Sequence, residues 1–413
     1  MGCGEVTAAH FDCSAGAPRE GKHFTARISG INAILGITVP TDAILDILNR
    51  LQFEVKLEAD GDTMQVVAPR WREDIEVGEP DLAEEVIREY GYDHIVPTFL
   101  KAATVTSGGL TAEQKAQAKA KRTMCAQGFY EAETLAFYAD ADLDMLHIAA
   151  DAPERNVIRI VNPISSNLTI MRSLLAPSLL NVAVTNLKKG NAAGRLFELS
   201  NIYVPKQLPL TELPDERMMF TLGMYGEGDF FSMKGVVEEF FDKVGLHKKE
   251  KYDPNAGKSF LHPGRQANII YDGKVVGYLG EVHPEVADIY GIGERAYVAV
   301  LDMPEIIPYA TFDRKYTGIA KYPAVTRDIS MVVPKEILVG QIEDVIEKKG
   351  GAHLESFNLF DIYEGAQIKA GFKSVAYSIV FRAKDKTLEE AEITAAMDRI
   401  LSGLEELGIE LRK

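Results

Sequence analysis

Residues 317–413 change from one element type to another in an order that few folds accept. By periodicity, residues 328–333 read as a strand and 336–348 as a helix. Two strands follow over 354–363 and 374–383, then a second helix over 388–407 and a short last strand over 409–411. In the strands apolar residues alternate with polar ones, whereas in the helices they recur every three to four positions. Strand–helix–strand–strand–helix–strand within about 95 residues is the split βαβ order of ferredoxin-like domains. This end of the chain is therefore expected to be one antiparallel sheet with two helices on one face.

The remaining length must be divided among further domains, because a chain of 413 residues exceeds one ordinary core. Residues 1–22 are Gly-, Ala- and Ser-rich with weak periodicity and read as a tail. Over 23–97, Pro40 and Thr41 start a helix carrying Ile44, Leu45, Ile47, Leu48 and Leu51 on one face. A hairpin turning at Asp60-Gly61-Asp62 follows, and then a second helix over about 81–90 that ends at Gly91. This predicts a small helix–hairpin–helix domain. A Ser/Gly linker, "TVTSGG" (104–109), opens a larger segment, 98–303, beginning with an Ala/Lys/Gln-rich helix. Its strand candidates are "VIRIVN", "RLFELSNIYV", "MMFTLGMY", "QANIIYDGKVVGYLGEV" and "AYVAVLDM". Hairpin turns such as Tyr271-Asp272-Gly273-Lys274 favour an antiparallel α+β sheet over a doubly wound parallel one. Residues 304–316, with two prolines, read as a linker.

Charge and cysteine usage exclude some functions. The formal net charge of −16 argues against binding DNA or RNA through bulk electrostatics, which needs clustered Lys and Arg. It leaves room for a local RNA-contacting patch. No apolar run is long enough for a membrane span, and the N-terminus lacks a secretory pattern. Three cysteines (Cys3, Cys13, Cys125) without metal-ligand spacing fit a reduced, cytoplasmic chain.

The densest charge lies in residues 70–98, "RWREDIEVGEPDLAEEVIREYGYDHIVPT", which hold nine carboxylates. Asp81, Glu84 and Glu85 share one face of a first helical turn, and Asp74 could fold back from the preceding loop. Such a set suits Mg²⁺, which takes one or two carboxylates plus waters. Asp81-x-x-Glu84 is equally a capping box, and carboxylates favour a helix N-terminus for dipole reasons alone. On the residues, both readings stand.

Four segments taken in order carry a resemblance. They are "RWREDI…DLAEEVIREYGYDHIVPT", "NPISSNLTIMRSLLAPSLLNVAVTNLKKG", "LHPGRQANIIYDGKVVGYLGEVHPEV" and "YPAVTRDISMVV". Together the chain resembles, from about residue 24 onward, the C-terminal half of the bacterial phenylalanine–tRNA ligase beta subunit family. The tRNA-binding and editing domains of that family's front half have no counterpart in these residues. The resemblance implies an α₂β₂ assembly with the ligase alpha subunit, acting on tRNA(Phe) with ATP as substrate of the complex. It also implies Mg²⁺ shared with the alpha subunit at the positions matching Asp74, Asp81, Glu84 and Glu85. The loop "EVGEP" between Asp74 and Asp81 is one residue longer than the family pattern.

By the same resemblance, residues 98–303 form a class II synthetase-like module without catalysis of its own. Where catalytic chains carry Phe-Arg-x-Glu, with Arg clamping the α-phosphate of ATP, this chain has Phe197-Glu198-Leu199-Ser200. A carboxylate facing that phosphate would repel it. Met171-Arg172-Ser173-Leu174 and the helix "LLAPSLLNVAVTNL" read as core and subunit contact. His262 and His283 read as turn residues before proline, and Gly293-Glu294-Arg295 as a turn into a strand. The C-terminal domain is implied to meet the anticodon stem and loop. The candidate contacts are Lys321, Tyr322, Arg327, Lys369, Lys373, Arg382, Lys384 and Lys386. Residues 317–413 nevertheless hold 13 Lys/Arg against 16 Asp/Glu, a net of −3, so the domain is no basic module. Phe357, Phe360, Tyr377 and Phe381 read as sheet core. The alternative is a non-enzymatic RNA-binding or interaction protein built on the same fold.

Overall fold

A computed structural model describes residues 2–13, 16, 20–98, 108–246, 249–311, 316, 318–365 and 367–412. The chain divides into two compact units, 1–107 and 108–413, and each is described by itself.

The first unit contains β1 (His23–Arg27), α1 (Ile28–Leu35), α2 (Thr41–Arg50), β2 (Glu54–Leu57), β3 (Thr63–Val67) and α3 (Glu79–Tyr90). The expected hairpin and both helices are present, but the domain is more than helix–hairpin–helix. Its sheet has three strands in the order β1-β3-β2, all antiparallel, with β1 on the outer side of the hairpin. The short stretch from Phe24 to Arg27 alternates too briefly to stand out, and it runs directly into α1. Ala26, Ile31, Ile44, Leu48, Met64, Val66, Leu82 and Val86 close the core. Pro80 sits in the first turn of α3, where its missing N–H costs nothing, so the helix starts at Glu79 and not at residue 81.

The second unit begins with α4 (Ala112–Ala126), β4 (Tyr130–Glu131), β5 (Phe137–Tyr138), α5 (Asp140–Met145), β6 (Ile170–Met171) and α6 (Ala176–Lys188). It continues through β7 (Gly194–Val204), β8 (Asp215–Tyr225), α7 (Phe230–Val244), β9 (Lys251–Asp253), β10 (Leu261–Tyr271), β11 (Lys274–Val282), α8 (Pro284–Tyr290) and β12 (Ala296–Asp302). A seven-stranded sheet runs β4-β7-β8-β12-β11-β10-β9, and every pairing but β4 with β7 is antiparallel. That agrees with the hairpin signals. "VIRIVN" is the exception, because only an isolated bridge from Arg159 to Ile170 forms there.

Successive side chains of a strand point to opposite faces, so this sheet supports two cores. Phe197, Phe220, Leu222, Leu279, Tyr297 and Ala299 pack with α4 and α7. Leu196, Tyr225, Tyr278, Val298 and Val300 pack on the other side with residues of α5, α6 and α8. The segment expected as a linker starts as structure: α9 (Met303–Ile306) buries Met303 and Ile306 against the first of these cores. Residues 312–315 of that linker, residue 317 after it, and 104–107 of the Ser/Gly linker lie outside the described residues.

The C-terminal part is β13 (Val325–Pro334), α10 (Val339–Gly350), β14 (Leu354–Tyr363), β15 (Phe372–Phe381), α11 (Glu390–Glu405) and β16 (Glu410–Leu411), in sheet order β14-β15-β13-β16. This is the order and topology expected from the sequence. Among the described residues no helix is long and apolar enough to cross a membrane.

Candidate functional site

The acidic loop before α3 is held by two cations. Lys22 Nζ donates to the carbonyl oxygens of Glu73 and Ile75, each at 3.0 Å, while Ile75 is buried in the core. The Arg72 guanidinium spans two carboxylates. It meets Asp74 at 2.6 and 2.9 Å, and it grips Glu85 through two parallel bonds of 2.8 and 3.0 Å. Arg88, one turn along α3, adds a 2.5 Å bond to Glu85, which is only 5% exposed. Arg72 accordingly holds the Asp74 carboxyl down at about 2 and lowers that of Glu85, with burial opposing in both. The arginine itself is raised by Asp74 and Glu85.

Asp81 lies inside the first turn of α3, and its Oδ2 accepts from the N–H groups of Glu76 (2.6 Å) and Val77 (2.7 Å). It fastens the loop to the helix and does not cap it in the expected Asp81/Glu84 box, because Gly78 occupies the N-cap position. Glu84 is exposed and takes no part in these contacts. The four carboxylates implied for Mg²⁺ are therefore not brought together. Two are engaged by arginine, one by backbone N–H groups, and one faces water. Among the described residues no group of three or more His, Cys, Asp or Glu side chains is placed to hold a metal. Mg²⁺ demands near-octahedral oxygen ligands, and a guanidinium already lies between Asp74 and Glu85. As folded, the residues do not fit the ion. Arg72 and Arg88 escaped the sequence reading, although Arg88 stands three residues after Glu85 on a helix, the spacing at which opposite charges meet.

The large sheet holds its chemistry-like residues internally. Arg172 and Glu198 are each 2% exposed and pair at 2.9 Å. Arg172 also donates to the carbonyl of Asn201 (2.7 Å), to Thr134 Oγ1 (3.0 Å) and to Ser200 Oγ. Thr134 Oγ1 lies 2.8 Å from the second carboxylate oxygen of Glu198. Glu198 thus presents no charge to an open phosphate site, and its carboxylate is consumed inside the protein. The expectation of a repelling carboxylate is corrected to that of a closed pair. Of the helix expected as core and subunit contact, α6, Leu179, Leu180 and Ala183 are buried in the core on the α5 and α8 side of the sheet. His262 lies at the start of β10 and His283 is the N-cap of α8, rather than in turns; each accepts a backbone N–H two residues on, from Gly264 at 3.0 Å and Glu285 at 3.3 Å.

In the ferredoxin-like part the expected RNA contacts divide into two groups. Arg327 Nη2 is paired with both oxygens of Glu390 at 2.6 Å, on the helix-covered side of β13 that also carries Ile329 and Met331. Arg382 binds Glu355 at 2.9 Å and the carbonyl of Tyr322 at 2.6 Å. Lys373 donates to the carbonyl of Ile337 at 2.8 Å, and Lys386 pairs with Glu392 at 2.6 Å. Lys321, Lys369 and Lys384 are exposed and form no ion pair among the described residues, although Lys369 lies over the Phe372 ring. Tyr377 and Phe381 are fully buried, whereas Phe360 is 56% exposed and departs from the core reading.

Three family models match these parts in order. Residues 24–92 match the tRNA synthetase B5 domain, and 320–412 match the ferredoxin-fold anticodon binding domain. Those two define the class as an aminoacyl-tRNA synthetase chain. Residues 96–303, half of the chain, match the phenylalanyl tRNA synthetase beta chain CLM domain, and the chain belongs to that beta chain family. The phenylalanine–tRNA ligase beta subunit of Clostridium tetani is 36% identical over 383 residues, 92% of this chain and 48% of that protein. That of Moorella thermoacetica is 34% identical over 426 residues, 99% of this chain and 51% of that protein. The chain therefore spans about half the length of the curated relatives it matches. A pyrrolysyl-tRNA synthetase from Desulfitobacterium hafniense superposes with a TM-score of 0.40 at 13% identity, over 48% of this chain and 69% of that one. That likeness is too low to carry an argument.

Proposed function

We propose that this chain serves as the scaffold and tRNA-contacting part of a phenylalanine–tRNA ligase beta subunit, in an α₂β₂ assembly in the cytoplasm. The assembly joins phenylalanine to tRNA(Phe) through an ATP-dependent aminoacyl-adenylate. The alpha subunit carries that chemistry, and ATP and Mg²⁺ are requirements of the assembly's reaction. The observation that carries this reading is the sealed Arg172–Glu198 pair. A phosphate clamp needs a cationic side chain free to meet developing charge, and here Arg172, the arginine paired with Glu198 of β7, is spent on internal acceptors. The family membership and the full three-domain order support the rest.

In the same reading Lys321, Lys369 and Lys384 make the first contacts with tRNA phosphates, since they are exposed and form no ion pair among the described residues. Tyr322, Arg327, Lys373 and Arg382 shape the domain that presents them. The test is co-expression with the cognate alpha subunit, followed by size analysis, aminoacylation and ATP–pyrophosphate exchange. A stable complex that charges tRNA(Phe), with no exchange by this chain alone, is the expected result. Exchange by the pure chain would refute the scaffold reading. Failure to bind alpha with tRNA binding retained would favour the non-enzymatic alternative.

A further inference from the structure

We propose that Arg72 is itself the cation of the acidic motif, so that the first unit folds without a divalent ion and excludes one while Arg72 is in place. This inference stands on the geometry of the loop and does not rest on the ligase reading.

Three observations combine. First, the two carboxylates that Arg72 joins, Asp74 and Glu85, are 2 and 13 residues from it in sequence yet both touch it. The guanidinium thus closes the loop onto α3. Second, the Glu85 contact is bidentate and desolvated, the geometry in which arginine is matched to a carboxylate and lysine is not. Third, Asp81 has both a partner and a task, because its Oδ2 is saturated by two backbone N–H groups.

A magnesium ion entering this cluster would have to take Glu85 from a buried two-bond pair. It would leave the guanidinium with Asp74 as its only carboxylate and place two charges of the same sign side by side. It would also have to shed part of a tightly held hydration shell. Neither loss is offset by ligands, since Glu84 faces water and Asp81 is engaged. The arginine and the divalent ion therefore compete for the same carboxylates, and the arginine has the better geometry. Removing it should reverse the preference. Asp74 would then lose its arginine and Glu85 would keep Arg88 alone, a loss of positive charge that a divalent cation can replace.

The chain contains one tryptophan, Trp71, next to Arg72 and 62% exposed, so its fluorescence reports on this loop specifically. The experiment is thermal unfolding of the full chain followed by Trp71 emission, in chelator and in millimolar MgCl₂ or MnCl₂. For wild type the midpoints should coincide in all three. For Arg72→Gln the midpoint in chelator should fall by roughly 10 °C, as expected when a buried ion pair loses one partner, and either ion should restore part of it. Arg72→Lys, which keeps a charge without the fork, should fall between the two and provides the reading if the glutamine variant does not fold. Saturable stabilisation of wild type by Mg²⁺, abolished in Glu85→Gln, would overturn the proposal. So would an Arg72→Gln protein as stable in chelator as wild type.

Discussion

Arg172 and Glu198 illustrate how a residue seen in the sequence can be placed correctly and still be misread. Glu198 was expected to face a phosphate, but a carboxylate on a strand packed on both sides can persist only if something inside neutralises it. Arg172, which sits before β7 in the chain, supplies that charge. Truncating Arg172 to Met should therefore cost about 3–5 kcal/mol in urea unfolding, because Glu198 is left buried and alone. The double variant Arg172→Met/Glu198→Leu should recover most of that loss, and neither should gain ATP–pyrophosphate exchange. Glu343 allows a prediction of opposite sign. Burial raises its carboxyl above the ordinary 4.5, with the Tyr377 hydroxyl donating at 3.0 Å, Lys234 opposing the rise, and Glu238 and Asp344 adding to it. Folding thus favours the protonated form. Its penalty is absent below the unfolded value and complete above the raised one, so this contribution to stability falls as pH rises from 4.5. Glu343→Gln keeps an acceptor for Tyr377 without the charge. Its urea midpoint should exceed that of wild type at neutral pH and converge with it in mild acid.

At the level of elements, what was legible followed the strength of the periodic signal. The ferredoxin-like order, α2, α4, the β2–β3 hairpin and the long strands β7, β8, β10, β11 and β12 all have apolar patterns extending over several residues with clear turn residues between them. β1 has five residues and no turn before α1, and the "VIRIVN" run makes a single bridge, so neither strand's fate could be read from pattern alone. The Arg72 contacts were equally hidden, since a pairing across a loop depends on how the chain folds back, whereas Arg88 and Glu85 pair at ordinary helical spacing. The start of α4 is fixed by side chains. Thr111 accepts from Gln114 N while the Gln114 side chain receives the Thr111 N–H, so Thr111→Ala should weaken α4 by about 1 kcal/mol. Hydrogen exchange confined to the first turn of α4 would show it. Gly78 defines the other kind of helix start. Its φ of 86° lies where side chains are strained, and a Cβ there would stand 3.3 Å from Phe24. A substitution should loosen the loop that Asp81 and Arg72 hold in place.

For the whole molecule the unusual fact is that the part matching the anticodon binding model has a negative net charge. Under the proposed function, tRNA binding would depend on a few exposed lysines rather than on a general field. In the complex with alpha, replacing Lys321, Lys369 and Lys384 together by Ala should weaken tRNA binding. It should also reduce the slope of log affinity against log salt by about one for each lysine that meets a phosphate. An unchanged slope would move the contacts elsewhere on the domain.

The seven-stranded sheet closes at both sides with very short strands, two residues in β4 and three in β9, beside β7 and β10 of eleven residues each. The exposed flank of β7 is filled by other means: Ala132 N–H bonds to the Phe197 carbonyl, Tyr203 N–H to the Arg172 carbonyl, and the Arg172 side chain to the Asn201 carbonyl. Long strands with unpaired flanks are templates onto which another chain can grow strand by strand. Here that flank is already occupied, so copies of this module have no free β7 backbone ladder to extend. A chain standing alone in solution is thereby shielded from sticking to itself along β7.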